Sequence, residues 1–158
     1  MAFDLSSLNP YSISYSDNSI LFQTDSNVTY EIYFAEGDGY FEGYDFALFV
    51  KIFGFRQITP SQDRIHSKRI AETIVFHLLE FFDDERHIVL YVCNQSDNRQ
   101  ASRKRLFDNW YNYYAPDTFV KLDFDFDSTL FLSIITQKRN PYLAALQESL
   151  PKIGYQYK

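Results

Sequence analysis

The residues best suited to bind a ligand lie between a predicted strand and a predicted helix. The run from Asn94 to Arg105 places four cations in the loop and in the first turns of the helix. A helix N-terminus already attracts anions through its dipole and its unbonded N–H groups, and two of the arginines lie four residues apart, on one face. The sequence therefore predicts a site for an anion or an acidic partner, formed by Arg99, Arg103, Lys104, Arg105, Asn94 and Asp97.

A second interpretation gives the same cations a structural role. Asp97 can cap the helix and offset part of the charge, while Asp108 or carboxylates on a strand can pair with the arginines on a solvated helix face. A further basic cluster, Arg64, Lys68 and Arg69, lies at the start of the preceding predicted helix. The sequence leaves both interpretations open.

The sequence contains no complete motif for catalysis or for calcium binding. Asp123, Asp125 and Asp127 have the spacing that opens a calcium loop, but Ser128 and Ile134 stand where such a loop needs glycine and glutamate. Phenylalanines alternate with the aspartates, which favours a strand with a solvated polar face.

The histidines and the single cysteine predict no metal site. His66 and His77 lie about three turns apart on one predicted helix, too far apart to share a metal ion, and His87 begins a strand. Cys93 ends an apolar strand, where open α/β sheets often bind ligands, but no base can be assigned to it. We therefore predict no metal, no cofactor and no catalytic residue, and we favour a non-enzymatic role without excluding an enzyme.

The composition predicts a single domain over residues 1–158, rich in phenylalanine and tyrosine. Hydrophobic residues make up 46% of the chain, enough for a core. The formal net charge of −6 argues against a general affinity for nucleic acid, which needs a basic footprint. One cysteine fits a reducing compartment, and neither a signal peptide nor a run of about 20 apolar residues is present. We expect a cytoplasmic protein that does not contact a membrane.

Alternating apolar residues predict an antiparallel meander at the N-terminus, with strands at residues 11–15, 20–24 and 28–34. The nearly continuous apolar run at 45–55 predicts a strand in the middle of a sheet. Gly54, near its end, indicates a bulge or a close approach of another group to the backbone.

The remaining elements alternate between helix and strand, which predicts an α+β fold with a mixed central sheet. After the meander the order is β-α-β-α-β-β-α, with a parallel pair at the centre. The second helix is expected to bury Leu106, Trp110 and Tyr113. The predicted elements are a helix from Ser61 to Asp83, a strand at 87–93, a helix at 99–114, a hairpin of 119–126 and 130–136, and a helix at 141–150.

Two families resemble this chain, the first by residues. The run Val-Leu-Tyr-Val-Cys-Asn-Gln-Ser-Asp-Asn-Arg-Gln-Ala-Ser-Arg-Lys-Arg-Leu-Phe-Asp-Asn-Trp, with Asp63 and Thr73-Ile74 upstream, resembles an uncharacterised bacterial family, a domain of unknown function found in Bacteroidota. The resemblance covers most of the chain and is most distinctive from Cys93 to Trp110. It implies no activity and no catalytic residues.

The second resemblance is one of element order. A meander, a helix, a parallel strand, a helix and a closing hairpin form the order found in the latter part of GCN5-related N-acetyltransferases. This resemblance implies a parallel pair that separates near Gly54, with acyl-CoA between its strands. Those enzymes hold the CoA pyrophosphate with a glycine-containing loop at the first of these helices, whereas Gln62–Ser67 contains no glycine.

Three hypotheses for the function follow. The first is a non-enzymatic binding or regulatory module for a protein or an anionic ligand. The alternative is a degenerate or atypical acyl-CoA-dependent N-acyltransferase-like protein, and the second alternative is nucleic-acid binding through Arg99–Arg105. The sequence does not give the ligand, the partner, the oligomeric state or the biological process.

Overall fold

The structure is a computed structural model that describes residues 5–17, 19–59, 68–94, 100–126 and 130–156. At positions 93–94, 100–103, 125–126, 130 and 153–156 it describes the backbone only. Of the predicted site residues, Asp97 and Arg99 lie outside the described residues, as does the whole segment Gln62–Ser67, which includes Arg64 and His66.

The N-terminal meander is confirmed and consists of β1 (Ile13–Ser16), β2 (Ser19–Gln23) and β3 (Thr29–Glu36). All three strands pair antiparallel with their neighbours. Asp17 and Asn27 adopt the left-handed conformation, with φ of 50° and 62°. These residue types tolerate that conformation; Asp17 directly follows β1, and Asn27 lies at the end of the turn before β3.

The next strand begins later than the apolar run predicts. β4 spans Val50–Gln57, and two short 3-10 helices, Asp38–Phe41 and Ala47–Phe49, precede it. The prediction of a strand through 46–49 is therefore wrong. Phe46 is apolar because it packs edge-on against Phe41 in the core cluster on one face of the sheet, whereas Leu48 is 66% exposed.

The second half of the chain follows the predicted order of elements. The last helix extends beyond Leu150 and includes Pro151. The elements are α1 (Lys68–Phe81), β5 (Ile88–Asn94), α2 (Gln100–Tyr114), β6 (Phe119–Phe126), β7 (Leu130–Gln137) and α3 (Leu143–Gln156).

The seven strands form one mixed sheet in the order β1-β2-β3-β4-β5-β7-β6. The only parallel neighbours in this sheet are β4 and β5, while each other pair of neighbours is antiparallel. The predicted α+β class, with a mixed sheet and a parallel pair at its centre, is confirmed.

The sheet has an apolar cluster on each face. On one face α1 and α2 cover side chains such as Ile32, Phe53 and Tyr91. On the other face α3 and the 3-10 helices cover Leu90 and Ile134, among others. Because β5 contributes to both clusters, its sequence is continuously apolar, as expected for a strand buried on both faces.

The N-terminal segment is fixed to the outer surface of α1. The main-chain N–H of Tyr11 donates to Thr73 Oγ1 at 2.9 Å, and the N–H of Asn9 donates to Glu72 Oε2 at 3.0 Å. The guanidinium of Arg69 lies 4.0 Å from the centre of the Tyr11 ring. These contacts explain why polar side chains of α1, Glu72 and Thr73, are buried. In the described part of the chain, no helix is long and apolar enough to cross a bilayer.

Candidate functional site

The two parallel strands pair along only part of their length. β4 and β5 form four residue pairs, the last of which joins Phe53 to Tyr91. Both strands continue, as Gly54–Gln57 in β4 and Val92–Asn94 in β5, and each keeps its other neighbour. The strands therefore separate at their carboxyl ends, and we name the opening between these two segments the strand fork.

The main chain of Phe55 points into the strand fork. The N–H of Ile58 donates to the carbonyl of Thr29 at 2.8 Å, and the carbonyl of Val50 accepts from Gly37 at 3.1 Å, so even-numbered residues of this strand direct their main-chain groups to the β3 side. Since alternate residues point to opposite sides, the N–H and C=O of Phe55 face β5, beyond the last residue pair. Groups in this position can bond to an amide that lies between the strands.

Gly54 lies at the base of the strand fork, directly beneath Tyr33. The two residues face each other across β3 and β4. A Cβ at Gly54 would lie 2.6 Å from Tyr33 Cε1 and closer still to Cζ and to the hydroxyl oxygen. The predicted close approach is therefore confirmed, and the approaching group is a phenol. Only glycine lets the Tyr33 ring lie flat at this point.

Aromatic side chains close the helix-facing side of the strand fork. Phe55 of β4 and Tyr91 of β5 stack across it, with ring centres 6.1 Å apart and planes only 4° from parallel. α2 covers them, because Phe107 stacks on Tyr91 at 4.1 Å and Trp110 lies 5.1 Å from Phe55. Access from this side is blocked, which leaves the carboxyl ends of the strands and the Tyr33 side.

Three of the four predicted cations, Arg103, Lys104 and Arg105, lie in the first turns of α2, which follows the strand fork, while Arg99 lies outside the described residues. Asn94 ends β5 and its main chain pairs with Leu130. Arg103 lies in the first turns of α2, one helical turn before Phe107. Arg105 is exposed. Lys104 Nζ donates to Asp108 Oδ2 at 2.7 Å, so at this position the structural interpretation of the cations holds.

The contact between Lys104 and Asp108 belongs to a chain of alternating charges that joins α2 to the last two strands. Lys121 Nζ lies 2.7 Å from Asp108 Oδ1 and donates to Asp123 at 2.6 Å. The Ser133 hydroxyl donates to Asp123 Oδ1 at 2.6 Å. Asp108 Oδ1 is buried, and its contact with the Lys121 ammonium is an ion pair. The charges neutralise one another beneath the helix.

The predicted solvated face of β6 is present at Asp123, which is exposed, but not at Lys121, which lies against α2. Lys121 is only 10% exposed, and Asp123 is 45% exposed. Burial alone would raise the pKa of Asp123, but the hydrogen bonds from Lys121 and Ser133 outweigh it, so the pKa lies below its usual value. Lys121 departs from the prediction because its ammonium lies against Asp108 of α2, a contact that the alternation along the strand alone does not reveal. The side chain of Asp125 lies outside the described part.

The buried face of α2 also differs from the prediction in one residue. Tyr113 is 76% exposed, whereas Phe107 is 2% exposed and belongs to the core. The stripe Phe107, Trp110, Tyr111 and Tyr114 is shifted by one position from the predicted one, and both stripes have helical spacing. Sequence periodicity could not distinguish them, because Trp110 belongs to both stripes and each also contains large apolar and tyrosine side chains.

An apolar groove lies between α1 and α2 and holds about 440 Å³ of empty space, part of it open to solvent. Burial raises the pKa of Tyr111, with a further contribution from Asp123, and it raises the pKa of Tyr114 as well. The groove is lined by Ile74, Val75, Leu78, Leu79, Phe82, Phe107, Trp110, Tyr111, Tyr114, Ala115, Phe119 and Ile135.

The described histidines have structural surroundings. Burial lowers the pKa of His77, whose Nδ1 is 3.6 Å from Glu80. His87 stacks on Phe81 at 4.3 Å between ring centres, and its Nδ1–H donates to the carbonyl of Phe81 at 2.6 Å. Among the described residues, no three His, Cys, Asp or Glu side chains are placed to hold a metal ion. The side chain of Cys93 lies outside that part.

A family model with the description "Family of unknown function (DUF6169)" matches residues 66–152. The match covers more than half of the 158 residues, and the chain belongs to this family. The predicted resemblance to an uncharacterised family is thus confirmed. The match includes the elements from β5 to β7 and leaves β1 to β4 outside. No curated protein matches the chain.

Proposed function

We propose that this member of the DUF6169 family is a binding module for an anionic ligand, which it takes at the strand fork. One observation carries the proposal: β4 and β5 stop pairing at Phe53 and Tyr91 although both strands continue. Strands that separate inside a sheet leave main-chain groups without their regular neighbours, and such groups bind to a ligand or to water. Carboxyl ends of parallel strands are also where α/β sheets commonly take ligands.

The charge around the strand fork fits an anion. β5 leads through Asn94 into the cationic segment and then into the N-terminus of α2, which favours negative charge. Lys104 already pairs with Asp108, so Arg99 and Arg103 are the cations that we assign to the ligand. Arg103 occupies the helix position one turn before Phe107, the residue that covers Tyr91 beside the opening.

The rest of the ligand would lie along the strands. The N–H and C=O of Phe55 offer one donor and one acceptor, and the hydroxyl of Tyr33 lies above Gly54 at the base of the opening. A ligand with an anionic end and an extended part that contains an amide meets all of these groups. In this proposal the chain binds its ligand without converting it.

The proposal can be tested by calorimetry with the full chain and three probes: inorganic phosphate, ADP and coenzyme A. Exchanging Arg99 and Arg103 for alanine should weaken the binding of the best probe at least tenfold, because a hydrogen bond to a charged group contributes about 1.5–3 kcal/mol. Lys138→Ala, an exposed cation at the opposite end of β7, is the matched control and should bind normally. Heat from none of the probes, or an equal loss in the control, would contradict the proposal.

A second candidate is an atypical acyl-CoA-dependent N-acyltransferase. It is favoured by the same separation of the parallel pair, which the resemblance in element order implies at Gly54. Gln62–Ser67 lacks the glycines of the pyrophosphate loop, so the cations of the second helix would have to hold the pyrophosphate instead. Titration with acetyl-CoA, followed by measurement of free thiol released with a panel of amines, separates the candidates. Thiol release supports the enzyme, and binding without release supports the module.

Nucleic-acid binding through Arg99–Arg105 is an outcome of the same experiment. Single-stranded RNA added as a fourth probe should give no heat, because the chain carries a net charge of −6. Binding of RNA that weakens steeply with salt, and that the double arginine variant abolishes, would replace the proposed ligand by a nucleic acid.

A further inference from the structure

The outermost strand of the sheet, β6, presents an edge of eight residues. It contains no proline, and within the part of the chain that the structure describes it has a strand neighbour on one side only, β7. Long edges are usually protected by a charged side chain or by a bulge. The lysine of this strand does not extend from the edge, because Lys121 is 10% exposed and its ammonium points inward to Asp108. The Asp123 carboxylate is 45% exposed, so it opposes only a strand that places another negative charge directly opposite it.

The outward main-chain groups of β6 belong to its odd-numbered residues. The N–H of Lys138 donates to the carbonyl of Thr118 at 2.8 Å, so even-numbered residues direct their groups to β7. Lys121 and Asp123 therefore direct their N–H and C=O groups away from the sheet. A strand that pairs with this edge must place residues whose own main-chain N–H and C=O groups point toward β6 opposite Lys121 and Asp123.

Charge selects one register if that strand is β6 of a second copy in antiparallel orientation. A two-fold axis at Lys121 or at Asp123 would oppose like charges directly, which is destabilising. A two-fold axis at Leu122 places Lys121 opposite Asp123 of the partner, and Asp123 opposite Lys121, so both cross-strand pairs join opposite charges. Both pairs also exchange main-chain hydrogen bonds in this register.

The same register matches apolar residues on the other face. Leu122 meets its own copy, and Val120 lies opposite Phe124. All three side chains are partly exposed, and Leu122 and Phe124 pack against the core cluster under α3. Pairing would therefore extend that cluster across the two-fold axis and remove apolar surface from water.

We infer that β6 is a homodimer interface, which pairs antiparallel with β6 of a second copy about a two-fold axis at Leu122. The dimer continues the sheet through both chains to fourteen strands. Its interface lies at the opposite edge of the sheet from β1 and does not involve the strand fork, so it is independent of the proposed ligand. An edge of this length buries less surface than a standard interface, and the dissociation constant should be about micromolar or weaker.

Cysteine cross-linking of the full chain tests the register. In a background where Cys93 is replaced by serine, Leu122→Cys brings two cysteines to a Cα separation of about 4.5 Å, within the range of a disulfide. Val120→Cys is the matched control, because the two copies of residue 120 would be offset by four residues, about 13 Å. Rapid oxidation of the first variant alone supports the interface. Equal cross-linking of both variants, or of neither, overturns it.

Charge reversal tests the pairing without cysteine. Asp123→Lys and Lys121→Asp each place two like-charge pairs in their own homodimer, and sedimentation should show at least tenfold weaker association. Mixing the two variants restores both opposite-charge pairs, so the mixture should form a heterodimer. Circular dichroism of each variant establishes that it is folded. If Lys121→Asp does not fold, Asp123→Lys alone must still be monomeric. A folded Asp123→Lys that associates like the wild type refutes the inference.

Discussion

Replacing Gly54 by alanine at the base of the strand fork should destabilise the protein, although the same change in an ordinary strand stabilises it. Gly54 does not adopt a left-handed conformation, so its backbone accepts an L residue. The obstacle is the ring of Tyr33, whose Cε1 would lie 2.6 Å from the new Cβ, a distance that real Cβ atoms essentially never show.

Two opposing effects determine the magnitude. Overpacking by one methyl group costs about 1–3 kcal/mol where the neighbours must move. Restriction of the unfolded chain by alanine contributes about 0.4–1 kcal/mol in the favourable direction. Because the obstacle is the end of one partly buried side chain, the ring of Tyr33 can move, and we expect Gly54→Ala to lower the free energy of unfolding by up to about 2 kcal/mol. Once Tyr33 is also alanine the obstacle is gone, and Gly54→Ala should then raise the free energy of unfolding by about 0.4–1 kcal/mol.

Urea denaturation of the four proteins in this double-mutant cycle measures the coupling directly. Gly39→Ala is the matched control, since nothing lies within 4 Å of a Cβ at that position, and it should not destabilise the protein. The reasoning is refuted if Gly54→Ala costs the same free energy with and without the Tyr33 ring, because the phenol would then not be what the glycine accommodates.

Two further predictions concern charged and titratable groups. Asp108→Ala leaves Lys121, which is 10% exposed, without one of its two carboxylates. The free energy of unfolding, measured by urea denaturation, should fall by about 1–3 kcal/mol, between the values for exposed and buried ion pairs. A decrease no larger than that caused by Asp117→Ala, at an exposed position, would contradict this prediction. Burial lowers the pKa of His77 in the folded state, so below pH 6.5 the unfolded chain binds the proton more readily and stability falls as the pH falls. His77→Gln should flatten this dependence between pH 7 and about 5.5, and identical slopes would show that His77 does not cause it.

The spacing of apolar residues predicted the strands and helices that bury one face along their whole length. Alternation in β6 gave the observed bounds, Phe119–Phe126, and helical spacing placed Ile70 and Ile74 in the core, where both are buried. These predictions succeed because each side chain meets the same kind of surface along the whole element. The close approach at Gly54 was also indicated, since a glycine interrupts an apolar strand there, whereas the separation of the strands followed only from the resemblance in element order.

The predictions that failed depended on contacts distant in sequence. The strand at 46–49 became a 3-10 helix because Phe46 packs against Phe41 rather than within the sheet. Lys121 on the polar face of β6 is covered because it lies against Asp108 of α2, while Asp123 on the same face is exposed as predicted. Nothing in a local window indicates which helix lies over which strand, so a charged strand face and a face that forms ion pairs with a helix have the same sequence pattern.

The family match covers only one of the two strand segments that form the strand fork, so variants on each side can be tested separately for ligand binding. Residues 66–152 include the β5 segment of the strand fork and the cationic segment. Gly54 in the β4 segment, and Tyr33 of β3, lie outside them. Loss of ligand binding in the Arg99 and Arg103 double variant, with binding retained in Gly54→Ala, would locate the ligand on the part of the chain that the family shares. Loss of ligand binding in both the double arginine variant and Gly54→Ala would show that the ligand needs the opening between the two strands as well as the cations. The strand fork opens beyond Phe53 and Tyr91. The rings of Phe55 and Tyr91, covered by α2, close one side of this opening and also hold the two strand segments in place. Ligand binding would therefore depend on this aromatic packing.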